Sequence, residues 1–290
     1  MKKIVYFITT LVLVLYLVSC GLKIDLEEKI YDVDSTCENI VIEEAVMNVE
    51  IRQDKSIQNI KITYYEKEDT YYLSNNYSNV TKTYKAERIQ PNKKMSYDFS
   101  NDYSTLILVP ENFSGDVTVK TSVGNMTLSG FNSKKMNLTS HVGNINLSNV
   151  NAEDTSIKNS TGNINLNGVS GEALNVKNST GNITLSSISV STNLTLENSS
   201  GNIIGDSVKS ESIEATNSLG NISISKLEIS TYAELKNATG DVVLSLKGSK
   251  DLYTTDLSSK IGDVKGSTTG GNIRIKTETE VGDIKVSYNA

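Results

Sequence analysis

Few side chains in this sequence could carry out catalysis. Histidine occurs once, as His141, so a zinc site with several imidazoles is excluded, and a Ser-His-Asp or Cys-His mechanism would depend on this residue alone. Arginine occurs only as Arg52, Arg88 and Arg274, which leaves little capacity for bidentate binding of phosphate or carboxylate groups. These residue types argue against most classes of enzyme.

The overall charge limits the possible partners. The 290 residues carry 34 acidic and 28 basic side chains, with a net charge of −6 and a pI near 5.1. Because nucleic-acid binding depends on a basic surface, no nucleic acid is expected as a partner. The hydrophobic fraction of 37% is enough for a thin core, to which aromatic residues, at 6%, contribute little.

The first residues are typical of an export signal. A cationic start at Lys2 and Lys3 precedes an apolar stretch over residues 4–18, which falls short of the roughly 20 residues that span a bilayer. The stretch ends in Leu17-Val-Ser-Cys20, which resembles the lipobox of bacterial lipoproteins. The resemblance implies cleavage before Cys20, lipidation of its thiol and retention at the extracytoplasmic face of the cell membrane. An uncleaved membrane anchor is the alternative.

The other cysteine, Cys37, would then lack an intramolecular partner, which excludes a disulfide framework. It precedes the strand-like run Ile40-Val-Ile42. We interpret Cys37 as a small apolar filler, with a reactive thiol as the alternative.

A repeat dominates the second half of the chain. Within each repeat, apolar and polar residues alternate in two short segments, as at Ile164 and Leu166 and again at Leu174 and Val176. A period of two predicts strands and excludes helix. The turns are marked by glycine followed by Asn or Asp, at intervals of 19 to 22 residues: Gly124, Gly143, Gly162, Gly181, Gly201, Gly220, Gly240, Gly262 and Gly282.

Short strands of this kind bury their apolar edges when successive repeats stack. We therefore predict an all-β fold, a parallel β-solenoid with coils of about 19–20 residues, in which Ile164 lies between Ile145 and Ile183. The turn glycines are assigned a structural role, because glycine accepts positive φ without a Cβ clash. A second structural column, whose stacked amides are predicted to bond to one another, contains Asn159, Asn178, Asn198, Asn217 and Asn237.

The N-terminal part has a different composition. Eight of the 14 tyrosines lie between Tyr64 and Tyr103, which predicts a Tyr-rich N-terminal β cap over the open end of the solenoid. An aromatic platform for sugar rings or a partner is the alternative. Residues 66–104 are predicted to form a long excursion. The expected divisions are a signal peptide at 1–19, a lipidated Cys20 and tether at 20–34, the N-terminal β region at 35–110 and the solenoid at 111–290.

Two stretches of the chain resemble a known bacterial family. They are Leu106-Ile-Leu-Val-Pro110 and Gly115-Asp-Val-Thr-Val-Lys-Thr-Ser-Val-Gly-Asn-Met-Thr-Leu128, and the family, labelled "putative adhesin", carries β-strand repeats of the Gly-Asp/Asn-Ile type. The resemblance covers residues 35–290. It implies a membrane-anchored or lipidated envelope protein and supplies no catalytic residues. Some relatives belong to envelope-stress regulatory systems, which adds a second possible function.

Two non-enzymatic functions follow. The first is a lipid-anchored surface protein, an adhesin or envelope scaffold, which binds a cell-wall glycan, a host surface or another envelope protein. Its candidate binding surface is the outward row Asn146, Asn165 and Thr184, with the region from Tyr71 to Tyr103 as a second surface. For any single residue of the row, mere solubility is the alternative. The second function is that of an accessory or sensor protein in an envelope-stress system.

A polysaccharide lyase or hydrolase is the remote alternative, since solenoids can host such enzymes. The chemistry requires paired carboxylates, or a Lys or Arg base beside acidic metal ligands. No arginine lies between Arg88 and Arg274, and Asp241, Asp263 and Asp283 supply one carboxylate per coil, which is too sparse for Ca²⁺. The sequence therefore predicts no enzyme, no metal and no cofactor.

Overall fold

The computed structural model describes residues 22–23, 26–67, 72–79, 82–89, 97–98 and 103–289. Cys20 and the predicted signal peptide lie outside the described residues. Within them, no helix has the length and apolar character needed to cross a lipid bilayer. The secondary structure is almost entirely β, with a 3-10 turn at Lys250–Leu252.

The strands fall into an N-terminal group and a repeat group. The N-terminal group is β1 Leu22–Lys23, β2 Glu27–Val33, β3 Asn39–Glu44, β4 Asn48–Gln53, β5 Ile60–Glu66, β6 Tyr72–Ser78, β7 Thr83–Ile89, β8 Tyr97–Asp98 and β9 Ser104–Val109. The first repeats contain β10 Asp116–Val123, β11 Met126–Ser129, β12 Asn132–Val142, β13 Ile145–Ser148, β14 Asn151–Thr161, β15 Ile164–Asn167, β16 Ser170–Thr180 and β17 Ile183–Val190. The later repeats contain β18 Asn193–Ser200, β19 Ile203–Leu219, β20 Ile222–Thr239, β21 Val242–Lys247, β22 Tyr253–Ile261, β23 Val264–Lys265, β24 Ile273–Val281 and β25 Ile284–Asn289.

Successive repeats pair in parallel, which confirms the predicted β-solenoid. Ile164 on β15 lies in register with Ile145 on β13 and with Ile183 on β17. These inward side chains are fully buried, and the core runs as one continuous cluster along the stack. The backbone hydrogen bonds therefore join coils, whereas the apolar side chains fill the space inside them.

The first three coils of the repeat, which begin at Gly124, Gly143 and Gly162, each contain one short and one long strand, where the sequence predicted two short ones. In the coil that begins at Gly143, β13 has four residues and β14 has eleven. The long strand arises because Val150 and Ala152 also face the core. It bends at Glu153 and Asp154, which are both exposed and break the alternation. A further corner is made by Asn149, with φ of 52°.

The turn glycines permit close approach of neighbouring coils. Gly143 has φ of +144°, and a Cβ atom there would lie 2.0 Å from the carbonyl oxygen of Gly124. At Gly162, with φ of +132°, the equivalent distance to the carbonyl oxygen of Gly143 is 2.1 Å. Any larger residue would combine backbone strain with a steric clash, so the stack requires glycine at this corner.

The two asparagine columns use hydrogen bonds different from those expected. In the inner column the predicted amide-to-amide ladder is wrong: Asn159 Nδ2 donates to the carbonyl oxygen of Gly143 at 3.1 Å, and Asn178 donates likewise to Gly162. A buried carbonyl needs a donor, and the amide supplies it. Side-chain ladders occur instead at the turn, where the backbone N–H of Asn144 donates to Asn125 Oδ1 at 2.8 Å.

At the N-terminal end the stack does not follow the order of the sequence. Residues 39–53 form a coil that pairs in parallel with β10 and β11 on one side and with β7 and β9 on the other. The sheet is therefore continuous across residue 110, where the sequence suggested a division. Within the expected excursion over residues 66–104, β7 belongs to the stack, and β6 pairs with it in antiparallel fashion.

The C-terminal end shows the same departure from sequence order. The last strands, β24 and β25, lie between β20 and β21 on one side and β22 and β23 on the other. The earlier pair, β22 and β23, therefore forms the outermost coil of this end.

Tyrosines close the N-terminal end, as the sequence predicted, together with antiparallel strands, which it did not predict. β9 pairs with β5, which pairs with β2. The Tyr84 side chain is fully buried, its ring centroid lies 5.6 Å from that of Tyr31, and its hydroxyl donates to Asn75 Oδ1. Tyr64 is also buried. These rings serve as the core of a cap.

Candidate functional site

The predicted polar row forms a continuous line across the short strands. Thr127, Asn146, Asn165 and Thr184 are paired in register on β11, β13, β15 and β17. All four are exposed or half-buried, and Asn165 Nδ2 donates to Asn146 Oδ1 at 2.8 Å. The strand periodicity turns these side chains outward because Ile164 and Leu166, on either side of Asn165, face the core.

A second line of small polar residues runs beside this row. Ser129, Ser148, Asn167 and Ser186 are paired in register on the same four strands. Neighbouring parallel strands lie about 4.8 Å apart, so the two lines form a regular polar face. We call these eight residues the polar face. Beyond Thr184 the row continues with the exposed Ile204, which limits the polar face to four coils.

The second predicted surface, from Tyr71 to Tyr103, lies partly outside the described residues, including Tyr71 itself. In the described part, Tyr72, Tyr77 and Tyr103 are half-buried. Tyr103 packs against Tyr65, with ring centroids 4.9 Å apart. Tyr65 and Tyr103 therefore pack against each other within the cap, and the polar face is the more regular of the two surfaces.

A buried ion pair in the cap was missed by the sequence analysis. Arg88 Nε donates to Glu44 Oε1 at 3.0 Å, and Arg88 Nη2 donates to Glu44 Oε2 at 3.0 Å. Thr105 donates to the same carboxylate, and Arg88 Nη1 donates to the Tyr65 carbonyl. The network joins β3, β5, β7 and β9. Glu44 lies in register with the buried Thr121, so its side chain points inward. A charged residue at an inward position of β3 was the signal in the sequence that could have revealed the ion pair.

The residues considered for nucleophilic chemistry are not assembled into a site. The Cys37 side chain is buried, its Sγ donates to the Asn39 carbonyl at 3.2 Å, and burial raises the pKa of the thiol. His141 is exposed on the face opposite the core. Across the described residues, no group of three or more His, Cys, Asp or Glu side chains could hold a metal ion.

Several charged residues of the outer faces are paired between coils. Lys177 Nζ lies 2.6 Å from Glu197 Oε2. Glu228 accepts hydrogen bonds from Lys209 and Lys247, on the coils before and after it, and these hold the pKa of its carboxyl below the ordinary value. These ion pairs join neighbouring coils.

The turn aspartates follow the pattern of the turn asparagines. The backbone N–H of Asp283 donates to Asp241 Oδ1 at 2.8 Å, and the backbone N–H of Asp263 donates to Asp283 Oδ1 at 2.8 Å. One oxygen of each of these two acceptors is therefore occupied by the backbone of the next coil in the stack. This arrangement explains the recurrence of Asn and Asp at the corner.

Comparison with protein families gives one match that covers most of the chain. The sequence model of the Toastrack DUF4097 family matches residues 37–290. The match confirms the family resemblance that the strand repeats indicated. Comparison with curated proteins gives no match.

Comparison with solved structures gives several matches that cover most of the chain. A "putative adhesin" from Bacteroides fragilis has 14% identity and a TM-score of 0.47, with 92% of this chain and 100% of that chain covered. A "putative cell adhesion protein" from Clostridium sporogenes has 13% identity and a TM-score of 0.31, with coverage of 91% and 100%. A "putative lipid binding protein" from Parabacteroides distasonis has 19% identity and a TM-score of 0.35, with coverage of 92% and 98%.

Proposed function

The chain belongs to the Toastrack DUF4097 family, and from this premise we propose that it is a non-enzymatic, lipid-anchored surface protein that binds a surface polymer. The polymer is a glycan of the cell wall or of a host surface, and the contact is the polar face. The observation that carries the proposal is the unbroken register of small polar side chains over four coils.

A repeating polymer suits this face because both have a regular spacing. Weak hydrogen bonds repeated at intervals of about 4.8 Å add along a chain that binds at several coils together. The Asn165–Asn146 hydrogen bond orders both amides, so less side-chain entropy is lost when a ligand binds. In the described structure Asn165 Oδ1 and the Thr184 hydroxyl have no protein partner, and they are available to sugar hydroxyls.

Two features support binding without turnover. Glu197 and Glu228 form hydrogen bonds with lysines of neighbouring coils, so these two carboxylates serve as structural contacts. General acid–base chemistry needs a carboxyl whose pKa is raised towards neutral pH, whereas the pKa of Glu228 is lowered.

An accessory or sensor role in an envelope-stress system uses the same anchored solenoid with a protein as its ligand.

The proposed anchor is the diacylglyceryl group on Cys20, supported by the sequence Leu17-Val-Ser-Cys20. Two acyl chains hold a protein at a membrane far more firmly than one chain does. We expect Cys20→Ala to leave an unprocessed or released protein that no longer partitions into the detergent phase of a phase-separation assay. Cys37→Ala is the matched control and should partition normally. Unchanged partitioning of the Cys20→Ala protein, with normal signal cleavage, would contradict the anchor.

The polar face is tested by capture of purified cell-wall glycans on immobilised protein. Asn165→Arg places a bulky cation in the middle of the face and is expected to lower capture at least about fivefold. Asn175→Arg is the matched control, because Asn175 is an equally exposed asparagine on β16, away from the polar face. Equal capture by the two variants would contradict the assignment of the face.

The same assay separates the alternatives. Capture of a single membrane protein from an extract, without glycan binding, would replace the adhesin reading with the sensor reading. Shortening of a polysaccharide during incubation would contradict both and indicate a lyase.

A further inference from the structure

The C-terminal end of the stack exposes a strand edge. The outermost strand, β22, pairs with β24 along one of its edges. Among the described residues it pairs with no other strand. Along the other edge, the loop at residues 266–272 covers the start of the strand. The backbone N–H of Thr255 donates to the Thr268 carbonyl at 3.0 Å, and the Thr268 N–H donates to Thr255 Oγ1 at 2.8 Å. The hydrogen bonds of the loop to this strand end at Thr255, and residues 256–260 form none with the loop.

The hydrogen bond from Thr255 to Thr268 shows which backbone groups of β22 point to the outer edge of the strand. Along a strand, the N–H and C=O of successive residues point alternately to the two edges. Because Thr255 faces the outer edge, Leu257 and Ser259 face it as well, whereas Asp256, Ser258 and Lys260 face β24. An edge with unpaired N–H and C=O groups is a template for another strand.

The side chains of this edge carry one charge of each sign. Ion pairs join neighbouring coils at several other places, and Lys260 forms one of the same kind, with its Nζ 2.6 Å from Glu280 Oε1. Asp256 forms no ion pair with the described residues, although it is exposed at the end of the stack. The Lys260 ammonium has three donors, so it can bind a second carboxylate.

Apolar side chains are exposed around the same end. Ile261 is 67% exposed, which is the highest value among the large apolar residues described, and Leu252 and Val264 are 49% and 37% exposed. All three lie on the outermost coil or directly before it. This end of the stack therefore combines an open strand edge, an unpaired carboxylate and uncovered apolar surface.

We propose that the C-terminal ends of two copies of this chain pair, with β22 antiparallel to β22 of the second copy. The twofold axis passes through Ser258. Leu257 then lies opposite Ser259 of the second copy, and the two exchange backbone hydrogen bonds, because both have their backbone groups at the outer edge. Asp256 lies opposite Lys260 of the second copy, and the symmetry forms each contact twice.

The charges select this register. An axis centred on Asp256 would place two carboxylates opposite each other, and an axis centred on Lys260 would do the same with two ammonium groups. Both registers are disfavoured because like charges directly opposite each other are destabilising. The axis at Ser258 satisfies both charges at once. This self-complementarity identifies a second copy, rather than a foreign strand, as the occupant of the edge.

The twofold axis permits a direct test in the full-length chain. It brings Ser258 opposite Ser258 of the second copy as a non-hydrogen-bonded pair, with Cα atoms about 4.5 Å apart, which suits a disulfide. We expect Ser258→Cys to form a cross-linked dimer under mild oxidation, seen on a non-reducing gel. Thr216→Cys is the matched control, because Thr216 is exposed in the same outward row several coils away. It should cross-link at least about tenfold less.

Charge exchange shows whether the pairing is specific. In the Ser258→Cys background, Asp256→Lys or Lys260→Asp should lower the cross-linked yield at least about fivefold, because each places like charges opposite each other. The double exchange Asp256→Lys/Lys260→Asp should restore the yield, and so should mixing the two single variants. Thermal melting of each variant establishes that it is folded. Absence of the Ser258→Cys dimer, a yield indifferent to these charges, or cross-linking to a different protein would each overturn the proposal.

Discussion

The two ends of the solenoid differ in whether the edge of the last coil is covered. At the N-terminal end, antiparallel strands β2, β5 and β6 cover the coil formed by β7 and β9, and the buried Glu44–Arg88 pair joins that coil to its neighbour. At the C-terminal end, the outermost coil of β22 and β23 has only the loop at residues 266–272 against part of its edge in the described structure. One end is closed and the other presents a strand edge.

The comparison shows where a repeat protein can carry specific contacts. Central coils contact near-copies of themselves, so their side chains are constrained by the coils on both sides. An end coil has one free side, where selection can favour a cap that prevents association or an edge that permits it. In this chain the buried charges Glu44 and Arg88 lie in the cap, whereas the edge carries exposed charges.

The largest effect is expected from breaking the cap. Arg88→Met leaves the Glu44 carboxylate buried without its cation, which should cost about 3–5 kcal/mol of unfolding free energy in urea. Replacing both partners, as Glu44→Leu/Arg88→Met, should recover most of this loss. At the open end, Lys260→Gln breaks the exposed pair with Glu280 and should lower the unfolding free energy far less than Arg88→Met does. Similar costs for the two single variants would remove the contrast between the ends.

A smaller difference is expected between the middle of the stack and its open end. Leu166 is buried between coils on both sides, so Leu166→Ala should cost about 2–5 kcal/mol. Leu257 is half-buried on the outermost coil, and Leu257→Ala should cost about 1 kcal/mol. Asn165→Ala, next to Leu166 but outward, should cost well under 1 kcal/mol. Urea unfolding checks all three, and equal costs at Leu166 and Asn165 would mean that the inward and outward faces are reversed.

The smallest effect concerns the attachment of the inserted C-terminal coil. The pKa of Glu234 on β20 is lowered from 4.5 to about 2 by its hydrogen bond with Lys236, with further contributions from Lys276 and Tyr232. A lowered pKa stabilises the fold above pH 4.5, and this contribution is lost as the pH falls from about 4.5 to about 2. Glu234→Gln should abolish that part of the pH dependence, by less than about 1 kcal/mol because the pair is partly exposed. Urea unfolding at pH 7 and pH 3 measures this contribution. If Glu234→Gln lost as much unfolding free energy between the two pH values as the unchanged protein does, the assignment would be contradicted.

Much of the central architecture could be predicted because it repeats. The spacing of the turn glycines, together with the alternation around Ile164 and Leu166, determines the register of neighbouring coils and the inward and outward faces. The polar row Asn146, Asn165 and Thr184 follows from the same register, and its role in binding stays a prediction. The partner of the Asn178 amide could not be predicted, because periodicity places a residue in a column but does not show which atom lies nearest to it.

The Glu44–Arg88 pair illustrates a further limit. The two residues are 44 positions apart, and neither belongs to the clear repeats. Their contact depends on β3 and β7 being neighbouring coils, which the weak alternation of the N-terminal part did not reveal. A charge at an inward position is informative only after its strand has been recognised as part of the stack.

The amino-acid sequence alone established the length of a coil, its glycine corner and the residues that face the core, because each depends on local periodicity and on the conformational freedom of glycine. The order of the coils at the two ends emerged only from the folded molecule. Every coil offers nearly the same backbone ladder and apolar positions, so β24 matches β20 and β22 equally well by pattern. The choice between neighbours was made by long-range packing and by the connections at residues 248–252 and 266–272, which let the chain pass over one coil position and return to fill it.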